Sequence, residues 1–247
     1  MSLIPKTIHY CWFGKNKMPL ELKRYVDGWK DKLHDYKFVL WDENTFNIRE
    51  NDFVSEAYDN KMWAFVSDYV RLMALYENGG IYLDTDVEVI NSFNRILDND
   101  AFAGFESRYN LGSAVVGSKK NNEWIKSLLD FYQDKHFIKE NGQLDKTPNT
   151  KYFTDISVSD YGLKLNNKLQ HLSNVTIYPR DYFYSENLYT RKTKMTDNSI
   201  CIHHWNGSWV DDKTPTIKSK IRNILYATLG DTITEEAYKA YWKMLKK

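Results

Sequence analysis

Four acidic and basic side chains and a histidine pair carry the chemistry that this sequence offers. Asp84 and Asp86 lie two apart in Ile81-Tyr82-Leu83-Asp84-Thr85-Asp86-Val87, directly after Asn78-Gly79-Gly80. Read as one strand from Ile81 to Ile90, this segment puts Tyr82, Asp84, Asp86 and Glu88 on one face. Carboxylates that close repel unless a cation intervenes, and a hard divalent ion such as Mn²⁺ or Mg²⁺ takes oxygens from carboxylates and phosphates together. Such an ion stabilises a departing diphosphate without a proton donor. Asp68 and Arg71, three apart in Ser67-Asp68-Tyr69-Val70-Arg71, share a helical face; they make either a surface ion pair or a clamp on sugar and phosphate oxygens. In His203-His204-Trp205-Asn206-Gly207-Ser208-Trp209, neighbouring strand residues point opposite ways, so only one histidine reaches a metal. Ser208 and Trp209 offer a hydroxyl and an indole N–H to phosphate. Trp12, at the end of the first strand, is either a core residue or a platform that stacks on a base.

The elements that must position these groups follow from apolar periodicity. A strand is predicted from Ile4 to Phe13, a helix from Leu20 to Leu33 and a second strand from Tyr36 to Trp41. Asp42 is expected to cap the next helical stretch, with Asn51-Asp52 punctuating it. Residues 62 to 77 read as the clearest helix, ended by Gly79-Gly80, since glycine tolerates the left-handed conformation past a helix end. Further on, the pattern gives an apolar run at Ala114 to Val116, a helix from Asn122 to Tyr132 and a loop from Asn141 to Thr150. It then gives strands near Val175 to Tyr178 and Ile200 to His204. This alternation predicts an α/β fold with a mainly parallel central sheet flanked by helices, in one domain spanning residues 1–247 with a helical tail at 215–247.

Composition narrows the partners. With 34 Lys plus Arg against 33 Asp plus Glu, the net charge of +1 gives no reason to expect nucleic acid. Two distant cysteines, Cys11 and Cys201, without metal-type spacing read as reduced thiols of a cytoplasmic protein. No stretch reaches the ~18 apolar residues of a membrane span, which leaves peripheral contact at the inner face of the membrane as the expected form of any membrane association.

Taken in order, Ile4-Pro5-Lys6-Thr7-Ile8-His9-Tyr10-Cys11-Trp12-Phe13-Gly14, the block from Ala64 to Asp86 and the motif ending at Trp209 resemble glycosyltransferase family 32. They are also similar to the glucosyltransferase domains of large bacterial toxins. The resemblance implies a GT-A-type fold and a retaining transferase using a nucleotide sugar, a UDP-sugar being favoured, with a glycan or lipid-linked glycan as acceptor and Mn²⁺ or Mg²⁺ as cofactor. It implies that Trp12 stacks on the base and that Asp68 and Arg71 contact sugar and ribose. Asp84 would bind hydroxyls and metal-bound water, and Asp86 the metal itself. His204 is the implied metal histidine in preference to His203, Asn110 a sugar contact, and Ser208 and Trp209 the diphosphate contacts. Catalysis would rest on Asp84, Asp86 and Arg71. Two other readings compete: a metal-dependent phosphohydrolase with Asp84 as nucleophile, against which Glu88 occupies the fifth position of its loop, and a calcium-dependent carbohydrate-binding module. Tyr182, Tyr184 and Tyr189 are expected as acceptor platforms in loops that carry recognition.

Overall fold

In the computed structural model, residues 3–206, 223–230 and 233–237 are described. The central sheet has seven strands in the order β2-β1-β3-β6-β5-β8-β7. They are β1 Thr7–Cys11, β2 Lys37–Trp41, β3 Gly80–Leu83, β5 Ala101–Phe105, β6 Leu111–Ser118, β7 Gln170–Leu172 and β8 Val175–Tyr178. The pairings β1–β2, β1–β3 and β5–β8 are parallel, while β6 runs against both β3 and β5, and β7 against β8. Five strands therefore point one way and two the other, which gives the mostly parallel sheet of the expected α/β class. A separate two-stranded ribbon joins β4 Val87–Val89 to β9 Cys201–His203.

Each face of the sheet has its own core because strand side chains alternate. Ile8, Ile81 and Leu83 face α1 (Leu20–Lys32) with Val26 and Trp29, and the Trp29 indole donates to the Val87 carbonyl at 2.7 Å. Cys11 and Tyr82 face the opposite layer, in which α3 (Trp63–Asn78) packs with α2 (Asp52–Asp59) and α4 (Glu123–Asp130). Both cysteines are buried and unpaired.

The turn from α3 into β3 explains Gly79-Gly80. Gly79 closes the helix at φ 65° and Gly80 enters the strand at φ 117°, both in the region that L side chains avoid. A Cβ at Gly80 would lie 2.7 Å from the Thr7 carbonyl oxygen and 2.9 Å from His9 Nε2. Only glycine lets β3 dock beside β1 here. His9 locks the same corner, with Nε2 2.9 Å from the Gly79 carbonyl and Nδ1 accepting from the Trp41 indole at 3.1 Å.

Four local expectations are corrected. The strand read from Ile81 to Ile90 breaks after Leu83: Asp84, Thr85 and Asp86 form a turn, with Val87 N–H donating to the Asp84 carbonyl at 3.0 Å. Asp42 caps no helix; its Oδ1 accepts from the N–H groups of Asn44 (2.8 Å) and Thr45 (3.2 Å) in a local turn. The N-cap of α2 is Asn51, which accepts from Val54 N–H. The unforeseen α5 (Asn149–Tyr161) and β5 lie where the sequence shows little contrast: β5 reads Ala-Phe-Ala-Gly-Phe and is buried throughout, so no alternation marks it. Of the helical tail expected at 215–247, residues 223–230 and 233–237 are helical, and the rest lies outside the described residues.

Candidate active site

Three elements end at one place. Tyr82 and Asp84 continue the alternation of β3 towards α3, and the Tyr82 hydroxyl donates to Asp84 Oδ1 at 2.9 Å. From α3, Arg71 crosses the Tyr82 ring at 4.6 Å from its centroid and reaches Asp84 Oδ1 at 3.3 Å. Its Nη2 donates to Asp68 Oδ1 at 2.9 Å, so the pair three apart in sequence is a buried ion pair and not a surface one. The guanidinium is fixed further by its Nε on the Ser67 carbonyl (3.1 Å) and Nη1 on the Ser113 carbonyl (2.8 Å). Ser113 in turn donates to Asn149 Oδ1 at 2.9 Å, tying the first residue of α5 to the same network.

The charges explain one another. Burial opposes a positive Arg71, yet Asp84, Tyr82 and Asp68 hold its pKa above the ordinary value. Burial pushes Asp68 up to about 7, against the pull of Arg71 and with the help of Asp84.

The ribbon brings the second half of the chain to Asp86. His203 Nε2 stands 3.3 Å from Asp86 Oδ1, and the Asn206 backbone N–H donates to Asp86 Oδ2 at 2.8 Å. Burial would raise the Asp86 carboxyl, but His203 and the Asn206 N–H outweigh it and hold the group down at about 2. His203 is raised in return: burial opposes its charge, but Asp86, Asp84 and Glu106 favour it.

Ligand atoms of Asp84, Asp86 and His203 all lie within 4.8 Å of one another. Two carboxylates and an imidazole form a donor set for a divalent ion, with the carboxylates favouring Mg²⁺ or Mn²⁺. Among the described residues the buried His203 Nδ1 has no hydrogen-bond partner, so the ring is not committed there to a purely structural network. The residues fit a metal.

The histidine expectation is reversed. His204 is turned to the other side of β9, where its Nε2 meets Glu88 Oε2 at 2.8 Å and its Nδ1 meets Glu186 Oε2 at 3.2 Å. Its ring stacks on Tyr25 at 4.6 Å. Both nitrogens are occupied away from Asp86, and His203 takes the place assigned to His204. Glu88 leaves the Asp84–Asp86 cluster for the same reason: the chain has turned between the two sheets.

Trp12 is half-buried, belongs to neither hydrophobic cluster among the described residues, and donates its indole N–H to the Asn16 carbonyl at 2.7 Å. That bond fixes the ring while leaving its faces outside the core. Asn110 sits in the turn between β5 and β6, where its carbonyl accepts from Glu106 N–H. Ser208 and Trp209 lie outside the described residues. Tyr184 is no platform: it is fully buried, with its hydroxyl accepting from the N–H groups of Ala114 (3.1 Å) and Val115 (3.3 Å).

Sequence reasoning missed Ser113 and Glu106. Ser113 lies 42 residues from the arginine it holds, a pairing that no spacing rule signals. Glu106 is a carboxyl that burial pushes up to about 7 against the pull of His203 and Arg180. Its sequence setting, beside a turn, reads as solvated.

Comparison with known proteins meets this geometry. Residues 19–103 match the glycosyltransferase sugar-binding region containing the DXD motif. An uncharacterized glycosyltransferase of Acanthamoeba polyphaga mimivirus is 27% identical over 224 residues, covering 84% of each chain. Inositol phosphoceramide mannosyltransferase 3 of Schizosaccharomyces pombe is 30% identical over 147 residues, which are 55% of this chain and 40% of that protein. Among solved structures, the PaToxG glycosyltransferase aligns with a TM-score of 0.47 at 19% identity, covering 64% of this chain and 69% of that one.

Proposed function

We propose that this chain, a glycosyltransferase with its DXD region at residues 19–103, moves a sugar with retention from a nucleotide-sugar donor, a UDP-sugar in first place, to a glycan or lipid-linked glycan. The observation that carries the reading is the convergence of Asp84 and Asp86 with His203, 117 residues further on, beside the Asp68–Arg71 pair. Asp86, His203 and Asp84 would hold the divalent ion. When bound, that ion supplies positive charge against the diphosphate as the glycosidic bond breaks.

The protein groups divide the rest. Arg71 is anchored by Ser67 and Ser113, so it acts mainly by holding the carboxylates of Asp68 and Asp84 in place to accept sugar hydroxyls. Trp12 offers a ring face to the base. The Asn206 N–H holds Asp86 Oδ2 in place, and Ser208 and Trp209, the expected diphosphate contacts, lie outside the described residues. The acceptor oxygen forms its bond to the anomeric carbon on the face from which the diphosphate oxygen departs, and that departing oxygen takes the acceptor's proton. Front-face attack is supported by the carboxylates themselves. Asp84 already accepts from Tyr82 and is ion-paired with Arg71, Asp86 faces His203, and Glu106 is shifted towards the protonated state, the wrong direction for a nucleophile. Trapping a glycosyl group on Glu106 or any of these aspartates would refute that route. The proposed setting is cytoplasmic, at the inner face of the membrane where the acceptor is lipid-linked.

A thermal-shift panel of nucleotide sugars, each with and without Mn²⁺, tests the function. At about 100 times Kd a ligand adds about 2.7 kcal/mol, which for a chain of this size raises Tm by roughly 5–11 °C. One base should stand out, and only with metal. A panel in which no nucleotide sugar shifts the transition would sink the reading.

A further inference from the structure

Next to this site lies a cavity of about 730 Å³ that the donor chemistry does not use. Its inner wall is Tyr184, whose ring meets His203 edge-on at 5.7 Å between centroids, and Arg180, whose Nε donates to the Tyr184 carbonyl at 3.2 Å. Its outer wall comes from the C-terminal segment. Tyr226 stacks on Tyr189 at 4.1 Å, and Glu235 accepts from the Arg108 backbone N–H at 2.8 Å while Glu236 meets Arg108 Nε at 3.2 Å. The tail thereby forms one wall of this space, and the Tyr184 ring stands between it and His203.

The lining has a charge bias. Arg108, Arg180, Lys192 and Lys194 face two acids, Asp181 and Glu235. Both acids are engaged: Asp181 Oδ2 accepts from the Thr196 hydroxyl (2.8 Å) and the Asn198 amide (3.1 Å), and Glu235 is held by the Arg108 N–H. Lys192 and Lys194 are exposed, and their ammonium groups form no ion pair among the described residues. Asn166, Asn167 and Asn187 also line the space, their Oδ1 atoms accepting from Lys168, Arg180 and Tyr189 backbone N–H groups respectively.

We infer that this cavity is the acceptor site, and that it takes a glycan bearing a negative charge, a phosphate or a carboxylate, against Lys192 and Lys194. The inference rests on the transferase reading for its place in the reaction, whereas the binding itself does not. Charge recognition at exposed lysines weakens with salt, because exposed charges are screened over about 8 Å at physiological ionic strength.

The test uses the full chain with Mn²⁺ and saturating UDP, so that the donor site is filled. Glucose 1-phosphate, glucuronic acid and glucose are titrated and followed by ligand-observed NMR. At least one charged sugar should bind tenfold or more tightly than glucose, and the better of the two identifies the anionic group. The double substitution Lys192→Glu with Lys194→Glu should remove that preference and leave the thermal shift with Mn²⁺ and UDP unchanged, while Lys192→Arg with Lys194→Arg retains it. Equal binding of glucose, no binding of any probe, or charge reversal without effect would overturn the inference. If UDP and Mn²⁺ give no thermal shift but the lysine-dependent binding persists, the transferase reading has failed and the anionic site stands.

Discussion

Replacing Asp86 by asparagine separates the proposed metal role of this residue from its structural one. The side chain is only 13% exposed, and its pKa falls from 3.8 to about 2 through His203 and the Asn206 N–H. At 1.36 kcal/mol per pH unit this corresponds to roughly 2–3 kcal/mol of interaction in the metal-free fold. A depressed carboxyl pKa stabilises the fold above the ordinary value, and that stabilisation is lost as the pH falls from 3.8 through 2. Asparagine keeps the shape and an oxygen for Asn206 but loses the attraction to His203. The metal-free variant should therefore be destabilised by roughly 2–3 kcal/mol, about 5–10 °C in Tm, and should still fold. Its effect on the loaded site should be larger. Loss of a mere supporting group around a metal ligand costs about 10–100-fold in affinity or activity, so loss of an anionic ligand should exceed that range at limiting Mn²⁺. The assay is nucleotide-sugar turnover over a Mn²⁺ series, with melting curves on the same samples. A folded Asp86→Asn protein whose turnover and Mn²⁺ dependence match the unmodified chain would refute the assignment.

Three further outcomes follow from the same geometry. His203→Gln should weaken Mn²⁺-dependent turnover at least tenfold. His204→Gln, which loses only its contacts to Glu88 and Glu186, should lower Tm with a much smaller change in Mn²⁺ dependence; the reverse ranking would restore His204 as the ligand. Trp12→Ala should raise donor KM more than it lowers kcat, because stacking on the base acts before and during the transition state alike; a fall in kcat at constant KM would contradict this. Glu106, raised from 4.5 to about 7 by burial, is protonated in the fold while already ionised in the unfolded chain across that window. Stability is therefore lost as the pH rises from 4.5 through 7, and Glu106→Gln should remove up to about 3 kcal/mol of that loss in denaturant titrations of metal-free protein. Parallel pH slopes for the two proteins would show that Glu106 titrates normally.

Much of this molecule was legible without coordinates because its strongest signals are local. A helix of sixteen residues with a strong apolar face, a double glycine at positive φ and a strand beyond it are all set within a few residues of chain. They sufficed to place Asp68 and Arg71 on one helix and Tyr82 and Asp84 on one strand face, and the ordered motifs sufficed to indicate a sugar transferase. Periodicity could not tell that the strand stops at Leu83. Whether Asp86 and Glu88 continue one face depends on β4 pairing with β9, whose residues lie over 110 positions away. The same pairing chose between two adjacent histidines, since the side of a strand facing the carboxylates is fixed only when its partner and register are known. Burial was decided there too: Arg71–Asp68 spacing is identical on a surface helix, and only the sheet packed over it, with Ser113 donated from β6, turns an ordinary ion pair into a fixed clamp. Sequence determined which groups could do the chemistry; long-range strand pairing determined which of them meet.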